Sequence, residues 1–420
     1  MTARWRAARS WRTCRAAVVV TAAAGLLLAS GCQATAPTPG VQAAAARAVS
    51  TTTISFEPVS SSTGVRPDAP VSVVAKGGTL TTVAVVDSRG HNVAGTLDGS
   101  KTRWTADGPL MLAQQYRVTA RAIDAGGGAL ERSAYFSTIK PKTTLKTSIS
   151  PLTGSIGGVG MPIIVRFNKA VTDRAAVERG LLVTSSKTAD GAWSWISGTE
   201  VHYRPQRYWP AHDKITLRVR LRGVQAAKKL WSLENRTVTF QTPASMVSTV
   251  DVARHTLTVR RNDKVARVIP ITSGKAGFLT RNGIKVVLEK SVLKVMDSTT
   301  IGIPKGDPNY YKLDVPYAMR VTWSGEFVHA APWSTANQGL ANVSHGCVGM
   351  SMSNAIWLYN LTNIGDVIRV INSPRTLEPG NGWTDWNVPW HTWLKGSALG
   401  ATATITPVAT PTDAALTTAG

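Results

Sequence analysis

Val343-Ser344-His345-Gly346-Cys347-Val348-Gly349-Met350-Ser351 places a cysteine between two glycines, eighteen residues after His329 in Gly325-Glu326-Phe327-Val328-His329-Ala330. A thiol attacks a carbonyl when a base or a positive environment removes its proton and donors receive the oxyanion. His329 and Cys347 supply the base and the thiol. Gly346 lets the backbone approach a substrate closely, and the Cys347 amide is a candidate oxyanion donor. Ser344 and His345 flank the site. With no Asp or Asn close to His329 in sequence, a backbone carbonyl near Ala330 or a distant side chain must orient its ring.

On the residues alone, other readings stand beside this one. His329, His345 and Cys347 could be zinc ligands, although zinc requires a further ligand or a water, and Asp, Glu and Cys are scarce nearby. Cys347 could be a small buried hydrophobe beside two unrelated histidines. A papain-like site would put Cys before His, and a sortase-like site would show a Thr-Leu-x-Thr-Cys stretch with a later Arg, which is absent.

Cysteine use narrows the context. The chain holds 3 cysteines. Cys14 lies in a stretch with Arg4, Arg6, Arg9, Arg12 and Arg15, no acid, and the apolar run 16–29, so residues 1–31 read as an export signal. It ends in Leu28-Ala29-Ser30-Gly31-Cys32, similar to a bacterial lipobox, which makes Cys32 the lipidation site. Cys347 is then the single thiol of the mature chain, exported to an oxidising space where it is buried or used. Loss of five arginines and no acid lowers the formal charge from +23 to +18. Such a surface is drawn to anionic lipid and wall polymer; nucleic acid suits the charge and not the signal.

At 420 residues the chain exceeds one ordinary domain. Residues 32–50 are rich in Ala, Thr, Pro and Gly and read as a tether. Residues 51–145 alternate short β-branched runs with turn signals, which predicts a sandwich, and 146–245 repeats the plan. Ile54-Ser55 with Pro58 corresponds to Ile149-Ser150-Pro151, Tyr116 to Thr119 corresponds to Ile215 to Arg218, and Ser133 to Thr138 corresponds to Arg236 to Thr242. Offsets of 95, 99 and 103 are those of one immunoglobulin-sized module used twice. The fold class is therefore mainly β.

Residues 246–372 form a third β-rich domain. A hairpin is expected over His255 to Thr272 and later strands at Gly283 to Leu288, Ala318 to Thr322, Glu326 to His329 and Gly365 to Ile371, with one short helix over Ser353 to Asn360 capped by Ser351 or Ser353. Residues 373–400 are Trp-rich. Trp386, Trp390 and Trp393 stand at i, i+4 and i+7, one face of a short helix, which favours packing over sugar stacking. Residues 401–420 read as a disordered tail.

His329, fourteen intervening residues and Ser344-His345-Gly346-Cys347 resemble the signature of the L,D-transpeptidases, with their YkuD-type catalytic domain. The likeness extends over 246–372, through Thr280-Arg281-Asn282-Gly283 and Gly365 to Val370. The two immunoglobulin-like modules, the lipoprotein signal and Asp385 to Trp390 resemble the actinobacterial members. Gly349 departs from the pattern, since many members have Asn there. The resemblance implies a cysteine-dependent acyltransferase of the cell wall. Cys347 is acylated by the third residue of a peptidoglycan tetrapeptide stem, D-alanine leaves, and a neighbouring amine takes the acyl group as a 3→3 cross-link. His329 is the base, Ser344 and His345 shape the pocket, and Gly346 with the Cys347 amide lines the oxyanion site. It implies no metal or organic cofactor, acylation by carbapenems, stem peptides and anionic wall polymers as partners, and no nucleic acid. The implied place of action is the outer face of the cytoplasmic membrane, held there as a lipoprotein and reaching into the cell wall. An L,D-carboxypeptidase, or a non-catalytic wall-binding lipoprotein, is the alternative. Trp323, Tyr317 and Trp333 are candidate substrate contacts, and with Tyr310, Tyr311 and Met319 a candidate lid.

Overall fold

The computed structural model describes residues 51–400 and the strand Ala403–Ile405. The expected signal, Cys32 and the tether lie outside the described residues, as does most of the tail. The described chain is mainly β: two immunoglobulin-like sandwiches followed by a third β-rich module with a short helix after Cys347.

In the first sandwich Gln115–Ile123 alternates strictly, sending Tyr116, Val118, Ala120 and Ala122 inward against Val73 and Trp104, as period-2 side-chain placement requires. It lies between Thr79–Asp87 and Ala129–Thr138. The second sandwich places Lys214–Arg220 between Leu181–Ser185 and Asn235–Gln241 in the same way. These are the strands paired by the repeat near 100 residues. In each sandwich the first strand runs into a cis proline, Pro58 and Pro151.

The third module faces two sheets over one apolar core. In the five-stranded sheet the order is Lys264–Pro270, Thr256–Arg261, Met246–Asp251, Val367–Ile371 and Gly283–Val286. Asn262 and Asp263 both have positive φ, 47° and 62°, the two-residue turn whose twist suits a hairpin. The four-stranded sheet runs Glu289–Asp297, Lys312–Arg320, Phe327–Ala330 and Val348–Met350. The bridge between Thr272 and Gly349 ties the thiol strand to the segment after the hairpin. The helix is Met352–Leu361, with the Ser351 hydroxyl accepting from the Asn354 amide, a capping bond that ends the preceding strand.

The Trp-rich segment is not one helix. Pro389 separates a 3₁₀ turn, Asp385–Asn387, from the helix Trp390–Lys395, because proline cannot donate within a continuing helix. The three indoles still converge: the Arg204 guanidinium stands 5.0, 5.1 and 4.7 Å from the rings of Trp386, Trp390 and Trp393. Trp386 Nε1 donates to Gly160 O and Trp393 Nε1 to Ala192 O, and His202 pairs with buried Asp385 at 2.9 Å. Asn387 brackets Ile284 of the third module, accepting from its amide and donating to its carbonyl. The segment fastens the second sandwich to the third module. The expectation of a disordered tail fails at Ala403–Ile405, which pairs antiparallel with Ala189 to Gly191; its Thr and Ile are β-formers beside an open sheet edge.

Candidate active site

Parallel strands bring the two key residues together. Phe327–Ala330 runs beside Val348–Met350, with His329 opposite Gly349, and Cys347 immediately precedes the second strand. Val328 and Ala330 enter the main core, whereas Phe327 joins Cys347, Val315 and Ala318 in a small apolar cluster. His329 and Cys347 line one cavity of about 190 Å³ with Met296, Tyr311, Trp333 and Ser344.

His329 Nδ1 donates to its neighbour's carbonyl, Ala330 O, at 2.7 Å. Of the two orienters the sequence left open, this is the backbone carbonyl, and it leaves Nε2 as the acceptor. Trp333 stacks on the imidazole, centroids 5.9 Å apart. Burial lowers the His329 pKa to about 4, only partly opposed by the Ala330 bond. Burial likewise pushes the Cys347 thiol up to about 12, against a backbone bond from Phe327 and the charges of Lys285 and Arg320. At neutral pH both groups rest uncharged, because desolvation penalises each ion.

The loop before the thiol is held by two hydroxyl side chains, those of Thr280 and Ser344. Gly346 has φ +118°, a conformation L side chains resist. Thr280 Oγ1 donates to Gly346 O at 2.9 Å and accepts from the Gly274 amide. Ser344 Oγ donates to Cys347 O at 2.6 Å and accepts from the Gly346 amide at 3.1 Å. Gly346 contributes its shape to the loop, while its amide is engaged by Ser344 Oγ.

His345 stands between two chambers. Its ring lies edge-on to Phe278 at 4.6 Å and tilted on Tyr311 at 5.0 Å, and its buried Nε2 has no hydrogen-bond partner among the described residues. Burial and then the charge of Lys275 lower its pKa. Beyond it opens a larger cavity of about 670 Å³, which shares Met296, Tyr311 and His345 with the thiol cavity. Trp323 borders this larger space and Trp333 the smaller one, each about half exposed. Tyr317 borders neither: it packs edge-on against Tyr359 of the helix, and Met319 is fully buried in the core. Of the candidate lid residues, Tyr311 and Trp333 line the thiol cavity.

A bacterial immunoglobulin-like domain model matches residues 62–225, and an L,D-transpeptidase catalytic domain model matches 245–370. L,D-transpeptidase 2 of Mycobacterium tuberculosis is 36% identical over 336 residues, 80% of this chain and 82% of that protein. The chain belongs to the L,D-transpeptidase family. L,D-transpeptidase 5 of the same species is 32% identical over 355 residues, 82% of this chain and 77% of its own length. A solved structure of the L,D-transpeptidase LdtMt1 in complex with imipenem is 38% identical, covers 55% of this chain and 100% of its own, and superposes with a TM-score of 0.47.

Several residues around the transpeptidase site were not singled out from sequence. Met296 comes from a long hairpin, Glu289–Asp297 with Lys312–Arg320, which overhangs the site and leaves Val292, Leu293 and Val295 exposed; Tyr311, already a candidate from sequence, directly precedes its second strand. Beneath the thiol loop Glu326 is buried between two cations, Lys285 at 2.5 Å and Arg281 at 3.1 Å. The sequence signal for this network was a lysine inside a β-run, Gly283–Val286, whose neighbours are apolar. Among the described residues no three His, Cys, Asp or Glu side chains gather as metal ligands.

Proposed function

We propose that this transpeptidase acts on peptidoglycan through an acyl-enzyme on Cys347. The observation that carries the reading is His329 and Cys347 lining one small cavity, with His329 Nε2 left as acceptor by the Ala330 bond. The Cys347 sulfur attacks the carbonyl of the third residue of a tetrapeptide stem while its proton passes to His329 Nε2. Transfer accompanies attack because neither ion is populated beforehand. The Cys347 amide receives the oxyanion, as the Gly346 amide is engaged by Ser344. Collapse breaks the peptide bond; His329 returns the proton to the leaving amine of D-alanine, and a thioester remains. A side-chain amine of a second stem, deprotonated by His329, attacks the thioester, forms the 3→3 amide and regenerates the thiol.

The thiol cavity adjoins the larger chamber at Met296, Tyr311 and His345, which favours transfer over hydrolysis by offering room for an acceptor next to the donor. Export, lipidation at Cys32 and attraction of the basic surface to anionic wall polymer complete the reading and place the enzyme outside the membrane. Incubation with a tetrapeptide stem and an acceptor stem, followed by mass analysis, should yield a cross-linked dimer and free D-alanine. Tripeptide with no dimer would make the chain a carboxypeptidase.

A further inference from the structure

Beneath the thiol loop lies an ion pair that the acylation steps leave unused. Lys285, on the strand Gly283–Val286, and Glu326, just before Phe327–Ala330, meet across the two sheets with side chains 1% and 5% exposed. Among the described residues Lys285 Nζ has Glu326 alone as hydrogen-bond partner. Burying two opposite charges seldom stabilises a fold more than apolar side chains of the same volume would. A pair kept beside a nucleophile therefore points to a task there.

The geometry ties the pair to Cys347. The Glu326 carboxylate underlies the residue before the thiol: a Cβ on Gly346 would stand 3.6 Å from its Oε1. The thiol itself contacts the carbonyl of Gly325, the residue before Glu326, at 3.7 Å. Glu326 Oε1 also accepts from the Arg281 amide and Nη1, at 3.0 and 3.1 Å, and so fixes the turn from which Thr280 holds Gly346 O. Several groups act on the sulfur. Glu326 raises its pKa, and the Phe327 amide, Lys285 and Arg320 lower it; His329 lines the same cavity and is neutral at rest, and Tyr311 feels the Cys347 charge. Arg281 and Arg320 have partly exposed second partners, Glu378 and Glu289. Lys285 is sealed from water, where a charge acts most strongly.

We propose that Lys285 and Glu326 are positioning residues for Cys347. Glu326 seats the Gly346–Cys347 loop and keeps Lys285 charged, and Lys285 stabilises the negative charge that sulfur gains as it parts from hydrogen or carbon. The proposal rests on the acyl-enzyme reading above. When the acceptor amine has attacked the thioester, the C–S bond breaks, its electron pair returns to sulfur, and sulfur takes the proton from His329.

Iodoacetamide alkylation of Cys347 separates charge from packing, because it reports the thiolate. Lys285→Met should slow it about three-fold for each unit by which the thiol pKa rises, greater nucleophilicity offsetting part of the lost thiolate. Glu326→Gln should speed it by a similar factor. In Lys285→Met the kcat for D-alanine release should fall while KM holds. The double variant, Lys285→Met with Glu326→Gln, leaves neither charge unpaired and gives the reading if a single variant fails to fold: its kcat should still fall, with alkylation close to that of the wild type. Single variants that shift alkylation in the same direction, as a loosened loop would make them, overturn the proposal, and so does a double variant that turns over like the wild type. Opposed alkylation shifts without D-alanine release from the wild type would leave the pair standing and remove the acyl-enzyme reading.

Discussion

Cys347 and His329 are both nearly sealed from water, 8% and 5% exposed, and that burial makes them a neutral pair at rest. Small electrophiles that need a thiolate should react slowly: alkylation by iodoacetamide at pH 7.5 should run well below an exposed cysteine. Acylation by a carbapenem, in which His329 takes the proton during attack, should stay nearly flat from pH 5.5 to 8.5. Its lower limit is set by His329 near 4 and its upper limit by Cys347 near 12. His329→Gln should slow acylation by about 10²–10⁴-fold, read by stopped-flow absorbance; a rate rising with pH as an ordinary thiol ionises would contradict the neutral pair. Gly349 makes a second case. A Cβ there would meet Ala331 Cβ at 2.8 Å and Thr272 Oγ1 at 2.9 Å, so Gly349→Asn overpacks a strand rather than adding a contact. The substitution should destabilise by about 1–3 kcal/mol, visible in thermal unfolding. The motif, its order and the need for an orienter of His329 from outside its near neighbours' carboxylates and amides were legible in sequence because they are local. The Gly346 amide's capture by Ser344 and the burial that neutralises the pair depend on packing that spacing does not reveal.

At the scale of elements, hairpins, closing strand and capped helix followed from alternation, turn residues and Ser351, where local preference and tertiary structure agree. Two elements did not. The overhanging hairpin was partly missed because Glu289–Asp297 mixes charged and apolar residues on both exposed faces, so its alternation carries no core face. The Trp segment was read as one helix, but Pro389 divides it and Arg204, 186 positions away from Trp390 in sequence, gathers the indoles. His202 anchors that segment: burial alone would lower its pKa, yet Asp385 and Glu200 raise it to about 9. A raised folded pKa means the pair's stabilisation is complete below the unfolded value near 6.5 and is lost as pH rises through about 9. Asp385→Asn should therefore cost about 3 kcal/mol at pH 6, with the gap to the wild type narrowing towards pH 9.5 in denaturant titrations. A gap independent of pH would mean the carboxylate acts only through packing.

Across the whole molecule the joints differ. The second sandwich is bound to the third module through Gly158 N to Ile364 O, Gly160 N to Gly365 O and the Trp segment, whereas the first meets the second through contacts such as Arg66 with Gln225 and Trp231. The two sandwiches were legible as a repeat, but nothing in their spacing revealed that the second is a structural partner of the site-bearing module. We therefore propose the first sandwich as a spacer that turnover itself does not require. Its deletion should leave turnover of soluble stems unchanged and reduce 3→3 cross-links in cells, measured by muropeptide analysis; unchanged cellular cross-linking would contradict the spacing role.

The central claim, a carbonyl-attacking thiol at Cys347, is tested most directly by intact-protein mass spectrometry of the chain from Gln33 onward, with and without a carbapenem, beside Cys347→Ala. A single adduct is expected on the wild type and none on the variant. A wild-type protein that stays unmodified while its thiol still reacts with a small reagent would contradict it.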